Sequence, residues 1–227
     1  MRKYAILCLM LLAGAQTSRA QLNGNYTIGG AGANFPTFGT AVAALTTQGI
    51  SGNVTFRIRP GQYEERFEIN NIPGANTNRR VVFESENNDS SSVRLFTGTA
   101  NSSSNWVVSM QNVGQITFRH LSFVAPSTGL YGIVLSAFNG TNLLIEHCAF
   151  SGIRTGFLYN NTQNTVNIAG NCPGFQFRNC LVQGGYHALS FNGPSANNPL
   201  LNGVVTGNRF TGAAAQAIRI FYVDNLD

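Results

Sequence analysis

Short runs of alternating apolar and polar residues mark most of this chain. In Val54-Thr55-Phe56-Arg57-Ile58-Arg59 the apolar side chains face one way and the polar ones the other, which predicts a strand with one buried face. A similar run returns as Ile116-Thr117-Phe118-Arg119-His120-Leu121-Ser122-Phe123 and as Leu143-Leu144-Ile145-Glu146-His147-Cys148-Ala149-Phe150. It comes back as Phe175-Gln176-Phe177-Arg178-Asn179-Cys180-Leu181-Val182 and, weakened, as Val204-Val205-Thr206-Gly207-Asn208-Arg209-Phe210. Aligned on His120, His147, Asn179 and Asn208, the repeats lie 27, 32 and 29 residues apart. That period is the signature of a solenoid in which each turn stacks on the one before. A hairpin-built sandwich would turn every 8 to 12 residues or so.

Further runs fill the remaining turns. Residues 81–84, 93–96 and 106–110 read as strands of the early turns. A second series is expected at 132–135, 156–159, 188–191 and 217–220, with Gly, Asn, Ser and Pro clusters between. About six turns of two or three short strands follow, a column roughly 30 Å long. One helix is predicted over residues 37–48, where Phe38, Ala41, Val42 and Leu45 recur at helical spacing, Thr37 offers an N-cap and Gly49 a stop. Lying just before the first strand, it suits a lid on the open end of the coil. The fold class expected is all-β: a right-handed parallel β-helix with an N-terminal capping α-helix. Residues 54–227 form the β-helix, which need not be complete, and residues 21–53 the lead segment and cap.

The first twenty residues change the picture of charge and location. Arg2 and Lys3, an apolar stretch from Tyr4 to Ala15, and Ser18-Arg19-Ala20 read as a secretory signal peptide, too short for a spanning helix. Export and a cell-surface or extracellular location are expected. Lys3 is the only lysine, so the chain from Gln21 keeps 11 Arg against nine acids. With no basic run, nucleic acid is excluded as a partner. Cys148, Cys172 and Cys180 remain, an odd number. Cys148 and Cys180 hold equivalent places one turn apart, close enough for a disulfide or for a reduced internal stack. No ligand cluster suggests a metal. The 27 asparagines suit sharp corners, because Asn tolerates left-handed backbone angles.

The run Phe38-x-x-Ala41-Val42, Gly49-Ile50, then Val54-x-Phe56-x-Ile58-x-Pro60-Gly61-x-Tyr63-x-Glu65 resembles the entry segment of the pectin-lyase-like superfamily, and the later turns resemble its β-helix. The lead Tyr26-Thr27-Ile28-Gly29-Gly30 is similar in flavour to large secreted proteins of Bacteroidetes-type bacteria, which implies a chain truncated at its C-terminus. The resemblance implies sites on the outer face of stacked strands, acting on acidic polysaccharides. It implies several aspartates in polygalacturonases, an aspartate pair with an arginine in methylesterases, and calcium-holding acids with an Arg or Lys base in pectate lyases. Each of these chemistries needs carboxylates within a few ångströms of one another.

Between Ser90 and Val223 the only acid is Glu146, which argues against catalysis there. Arg119, Glu146 and Arg178 hold equivalent outward positions and form the candidate binding column, either a strip for an anionic glycan or a charge ladder bracing the sheet. His120 and His147 should stack beside it as a corner ladder continued by Asn179 and Asn208, with Glu146 on the opposite side of its strand from His147. Glu64 and Glu65, with Tyr63 and Arg66, read as a solvated corner or as an acidic site for calcium or catalysis. Tyr131, Tyr159, Tyr186 and Tyr222 are candidate sugar platforms or core-edge covers. The expected function is a non-catalytic surface scaffold or polysaccharide-contacting segment of a larger secreted protein, with no cofactor. The alternative is the N-terminal portion of a polysaccharide lyase, glycoside hydrolase or pectin-esterase-like enzyme with its catalytic residues further on; calcium would enter only for a lyase.

Overall fold

A computed structural model describes residues 20–125, 131–153 and 161–227. The expected leader and the strand expected at 156–159 fall largely or wholly outside these residues. Three parallel sheets wrap one apolar interior. The first contains β1 (Leu22–Ile28), β2 (Ile50–Ile58), β5 (Val81–Ser85), β8 (Ile116–Arg119), β11 (Leu144–Glu146), β14 (Gln176–Arg178), β17 (Leu200–Thr206) and β20 (Val223–Leu226). The second stacks β3 (Gly61–Glu64), β6 (Val93–Phe96), β9 (Ser122–Val124), β12 (Ala149–Ser151), β15 (Leu181–Gln183) and β18 (Arg209–Thr211). The third stacks β4 (Phe67–Asn70), β7 (Trp106–Gln111), β10 (Ile133–Phe138), β13 (Val166–Ala169), β16 (His187–Asn192) and β19 (Gln216–Phe221).

Every strand pair is parallel, so the chain passes through the three sheets in turn and closes a rung each time. Six complete three-strand rungs result among the described residues, and β1 and β20 extend the first sheet beyond them, making about seven turns. The sequence reading of an all-β parallel solenoid with one helix therefore holds. Two details differ. Residues 22–28, a Gly- and Asn-containing lead by sequence, form β1 and pair with β2. In the third sheet the strand between β10 and β16 is Val166–Ala169, the place expected for residues 156–159.

Stacking in register turns one inward position into a continuous column. Phe56, Phe83, Phe118, Ile145, Phe177 and Val205 line up along the first sheet, with Phe56–Phe83 and Phe83–Phe118 rings 4.9 and 5.2 Å apart. The second sheet supplies Tyr63, Leu95, Phe123, Phe150, Val182 and Phe210. Identical spacing of rungs and rings lets aromatics stack face to face, adding to their burial.

The helix α1 (Phe38–Gln48) closes the N-terminal end. Thr37 caps it in a reciprocal box with Thr40, and Gly49 takes φ 71° as its chain reverses. Its buried Phe38, Ala41, Val42 and Leu45 face the column. The Phe38 ring stacks on Phe67 at 5.3 Å and meets Tyr63 edge-on at 5.2 Å. Among the described residues no helix is long and apolar enough to cross a membrane.

Candidate ligand groove

Outward positions of the first sheet form a ladder of alternating charge. The register runs Arg57, Glu84, Arg119, Glu146, Arg178 and then Thr206. Arg57 Nε lies 3.6 Å from Glu84 Oε1, Arg119 Nε 3.1 Å from Glu84 Oε2, and Arg119 Nη1 4.0 Å from Glu146 Oε1. The Arg119 Nε contact is an ion pair off the axis of a hydrogen bond. The expected column of Arg119, Glu146 and Arg178 is thus brought together, and the structure adds Arg57 and Glu84. The signal for these two was present: each follows the inward Phe of its strand by one residue, Phe56-Arg57 and Phe83-Glu84, as Arg119 follows Phe118.

Charges along the ladder do not cancel. Arg178 stands across from Glu146 in the register yet makes no ion pair among the described residues, and its Nε is buried without a hydrogen-bond partner. Three arginines share two carboxylates, and Arg178 is the one left over.

Beside the ladder runs a second outward column. His120, His147 and Asn179 take φ of 54°, 53° and 52°, the left-handed bend between first and second sheets. The His120 and His147 rings lie 5.1 Å apart at 12°. Two expectations are corrected here. Glu146 and His147 do not point to opposite sides, because the left-handed bend at His147 breaks strict alternation: Glu146 and His147 both face solvent, and Cys148 is the residue that turns inward. Asn208 does not continue the corner. Arg178 pairs with Thr206, so Gly207, at φ 67°, holds the position equivalent to Asn179. Asn208 is instead equivalent to Cys180 and bonds sideways, accepting the Cys180 N–H at 2.8 Å and donating to the Phe177 carbonyl at 2.7 Å.

An open groove of about 550 Å³ follows this corner. His120, His147 and Asn179 line it, with Cys148, Ala149 and Leu181 along the floor and Asn88, Asp89 and Ser90 as an end wall. That wall is fastened, since Ser122 Oγ donates to the Ser90 carbonyl at 2.6 Å. Asp89 accepts from the Ser91 hydroxyl and backbone N–H, and these bonds hold its carboxyl below the usual range. Burial, the neighbouring His147 and Arg119 hold the His120 imidazole below its ordinary pKa. The groove therefore has a negative end at Asp89, imidazoles and an amide along its length, and the flank of the charge ladder beside them.

The other candidates lie elsewhere. Glu65 is engaged at the helix end, where its carboxylate accepts the Phe38 and Gly39 N–H groups, so it is not a solvated corner. Tyr186 packs on His187 at 4.4 Å and Tyr222 sits exposed on the last turn, while Tyr159 is outside the described residues. Cys148, Cys172 and Cys180 are free and buried, with no disulfide between the stacked pair. Among the described residues no three His, Cys, Asp or Glu side chains gather as a metal site.

No family model matches this chain, and neither does any curated protein. Solved structures do. A pectin methylesterase from Aspergillus niger, in penultimately deglycosylated form, is 11% identical with a TM-score of 0.50, over 92% of this chain and 91% of that one. The deglycosylated form gives 12% identity and 0.47 over 91% and 89%. A pectin methylesterase from carrot gives 10% and 0.36 over 84% and 65%. At 11% identity the likeness to the first of these is one of fold, a β-solenoid.

Proposed function

We propose that the protein is an exported, non-catalytic β-helix scaffold that contacts acidic polysaccharide along the corner groove. The unpaired Arg178, next in sequence to the groove residue Asn179, carries this reading. A guanidinium with a partly buried head and no partner among the described residues gains most from an external carboxylate, which it binds as a fork. The column of polar groups beside it suits sugar hydroxyls, and the small apolar floor of Ala149 and Leu181 suits a ring face. The fold shared with pectin methylesterases supports polysaccharide as the ligand class. Affinity electrophoresis on gels cast with pectate, alginate or chondroitin tests the reading. Retardation that Arg178→Ala abolishes supports it, and unretarded migration on every gel overturns it.

One observation favours a second reading. Glu84 and Glu146 flank Arg119 on the outer face of a pectin-methylesterase-like solenoid, two carboxylates and an arginine in one line. Their positions are two rungs apart, roughly 9.6 Å, and both carboxylates are already shared with Arg119. Methanol release from methyl-esterified pectin that falls with Glu84→Gln or Glu146→Gln would establish this esterase reading in place of the scaffold.

A further inference from the structure

The residues that line the groove supply one steady charge and two that pH can switch. Asp89 stands at the end wall, and hydrogen bonds from the Ser91 hydroxyl and backbone N–H keep its carboxyl ionised well into the acid range. His120, half-buried, and His147, exposed, stack along the groove with rings 5.1 Å apart at 12°. Cys148 on the floor is a neutral thiol, because burial pushes it well above the ordinary range. The other lining residues do not ionise. The lining thus carries one negative charge while both imidazoles are neutral, and one positive charge once both are protonated.

Other charges surround the pair without lining the groove. Burial opposes protonation of His120, as do His147 and Arg119, while Glu146 and Glu84 favour it. Arg178 stands on the rung beyond His147. In the floor column Arg94 precedes Ser122 and Arg209 follows Leu181, and Arg94 is turned onto the Phe96 ring. No described residue forms an ion pair with either imidazole, so a protonated ring has N–H groups to offer an incoming carboxylate. Imidazole makes this change between about pH 5 and 8. We infer that the groove is acid-gated: it takes up an acidic polysaccharide when His120 and His147 are protonated and holds it weakly at neutral pH, when Asp89 alone sets the charge of the lining. This rests on the reading of the groove as an acidic-polysaccharide site and adds the condition under which that site fills.

Calorimetric titration of the full chain with a galacturonate hexamer at pH 7.5 and 5.5 tests it. Carboxyl groups titrate near pH ~4, so the ligand keeps its charge at both values. Binding is expected to be roughly tenfold tighter at pH 5.5, and a fully methyl-esterified hexamer to show no such gain. A double variant, His120→Asn with His147→Asn, keeps a residue that the corner accepts, as Asn179 does at φ 52°, and should lose most of the gain. Asp89→Asn should tighten binding at pH 7.5. In the parent protein, the ring-proton resonances of both histidines should titrate at higher pH when the hexamer is bound, because a ligand that prefers imidazolium must stabilise it in return. Equal affinity at both pH values, a gain that survives in the double variant, or unmoved histidine titrations overturns the gate and leaves an acidic-polysaccharide site standing. No binding at either pH overturns both.

Discussion

The Glu65 carboxylate accepts the N–H of Phe38 at 3.2 Å from 27 residues away, and that of Gly39 at 3.0 Å. The first turn of the solenoid thereby holds the first turn of its own cap. Free N–H groups at a helix start carry partial positive charge, so a carboxylate there both bonds and neutralises.

Glu65→Ala is accordingly expected to lower stability by about 1–2 kcal/mol, and Thr37→Ala, which breaks the capping box, by about 1 kcal/mol. The two should couple, since they serve the same helix end. Urea midpoints of the single and double variants check this. Strict additivity would show that Glu65 acts on something other than the cap.

Position along the column decides what an aromatic is worth. Phe83 is fully buried and has rings of Phe56, Phe118, Phe67 and Phe38 within 6.4 Å. Phe210 holds an inward position on β18, the last strand of its sheet, and is only partly buried. Phe83→Ala should cost about 3–5 kcal/mol, within the range for buried aromatics, and Phe210→Ala clearly less. Equal losses in chemical denaturation would contradict the stacked-rung account of the core.

Two histidines give the fold a pH dependence of definite sign. Burial, then His147 and Arg119, lower the His120 pKa; burial and then Arg219 lower that of His187. With folded-state values below the unfolded one of about 6.5, the unfolded chain takes up protons first as pH falls. Stability from these groups is complete above about pH 7, declines as pH drops through 6.5, and levels off once the folded imidazoles are protonated too. Asp89 adds a further loss at lower pH, where its depressed pKa is reached. His120→Asn keeps a residue that tolerates the corner, as Asn179 does at φ 52°, and should flatten the decline between pH 7.5 and 5. Unfolding curves at the two pH values decide it; a steeper decline in the variant would reverse the assignment.

What could be read from the chain, and what could not, follows from range. Columns were legible because stacking repeats one local pattern: the inward Phe, the outward charge and the small or imidazole corner recur together at 116–123, 143–150 and 175–182. Arg57 and Glu84 escaped because their rung runs straight on, Ile58 pairing with Ser85 where later turns bend, so an alignment on corners passed them by. Gly207 and Asn208 both suit a left-handed corner, and only pairing of β14 with β17 decides between them. In the fourth turn, Val166-Asn167-Ile168-Ala169 alternates only weakly, so periodicity alone does not single it out as the strand that pairs with β10 and β16. Nothing local announces that Glu65 will meet Phe38.

The ladder itself makes the last prediction, because its arginines are not equivalent. Arg119 lies between Glu84 and Glu146, whose side chains are 16% and 23% exposed, so its removal leaves two half-buried carboxylates facing each other across one rung. Arg119 is 37% exposed, and solvent screening keeps each pair at about 0.2–1 kcal/mol, so Arg119→Ala should cost roughly 1–2 kcal/mol with the repulsion included. Arg178 has no ion pair to lose, and Arg178→Ala should stay within about 0.5 kcal/mol of the parent. Added salt should shrink the first effect, since screening weakens both the pairs and the repulsion left behind. If denaturation instead shows Arg178→Ala to be as damaging as Arg119→Ala, then Arg178 serves the sheet as its neighbours do, and its guanidinium is not held free for a ligand.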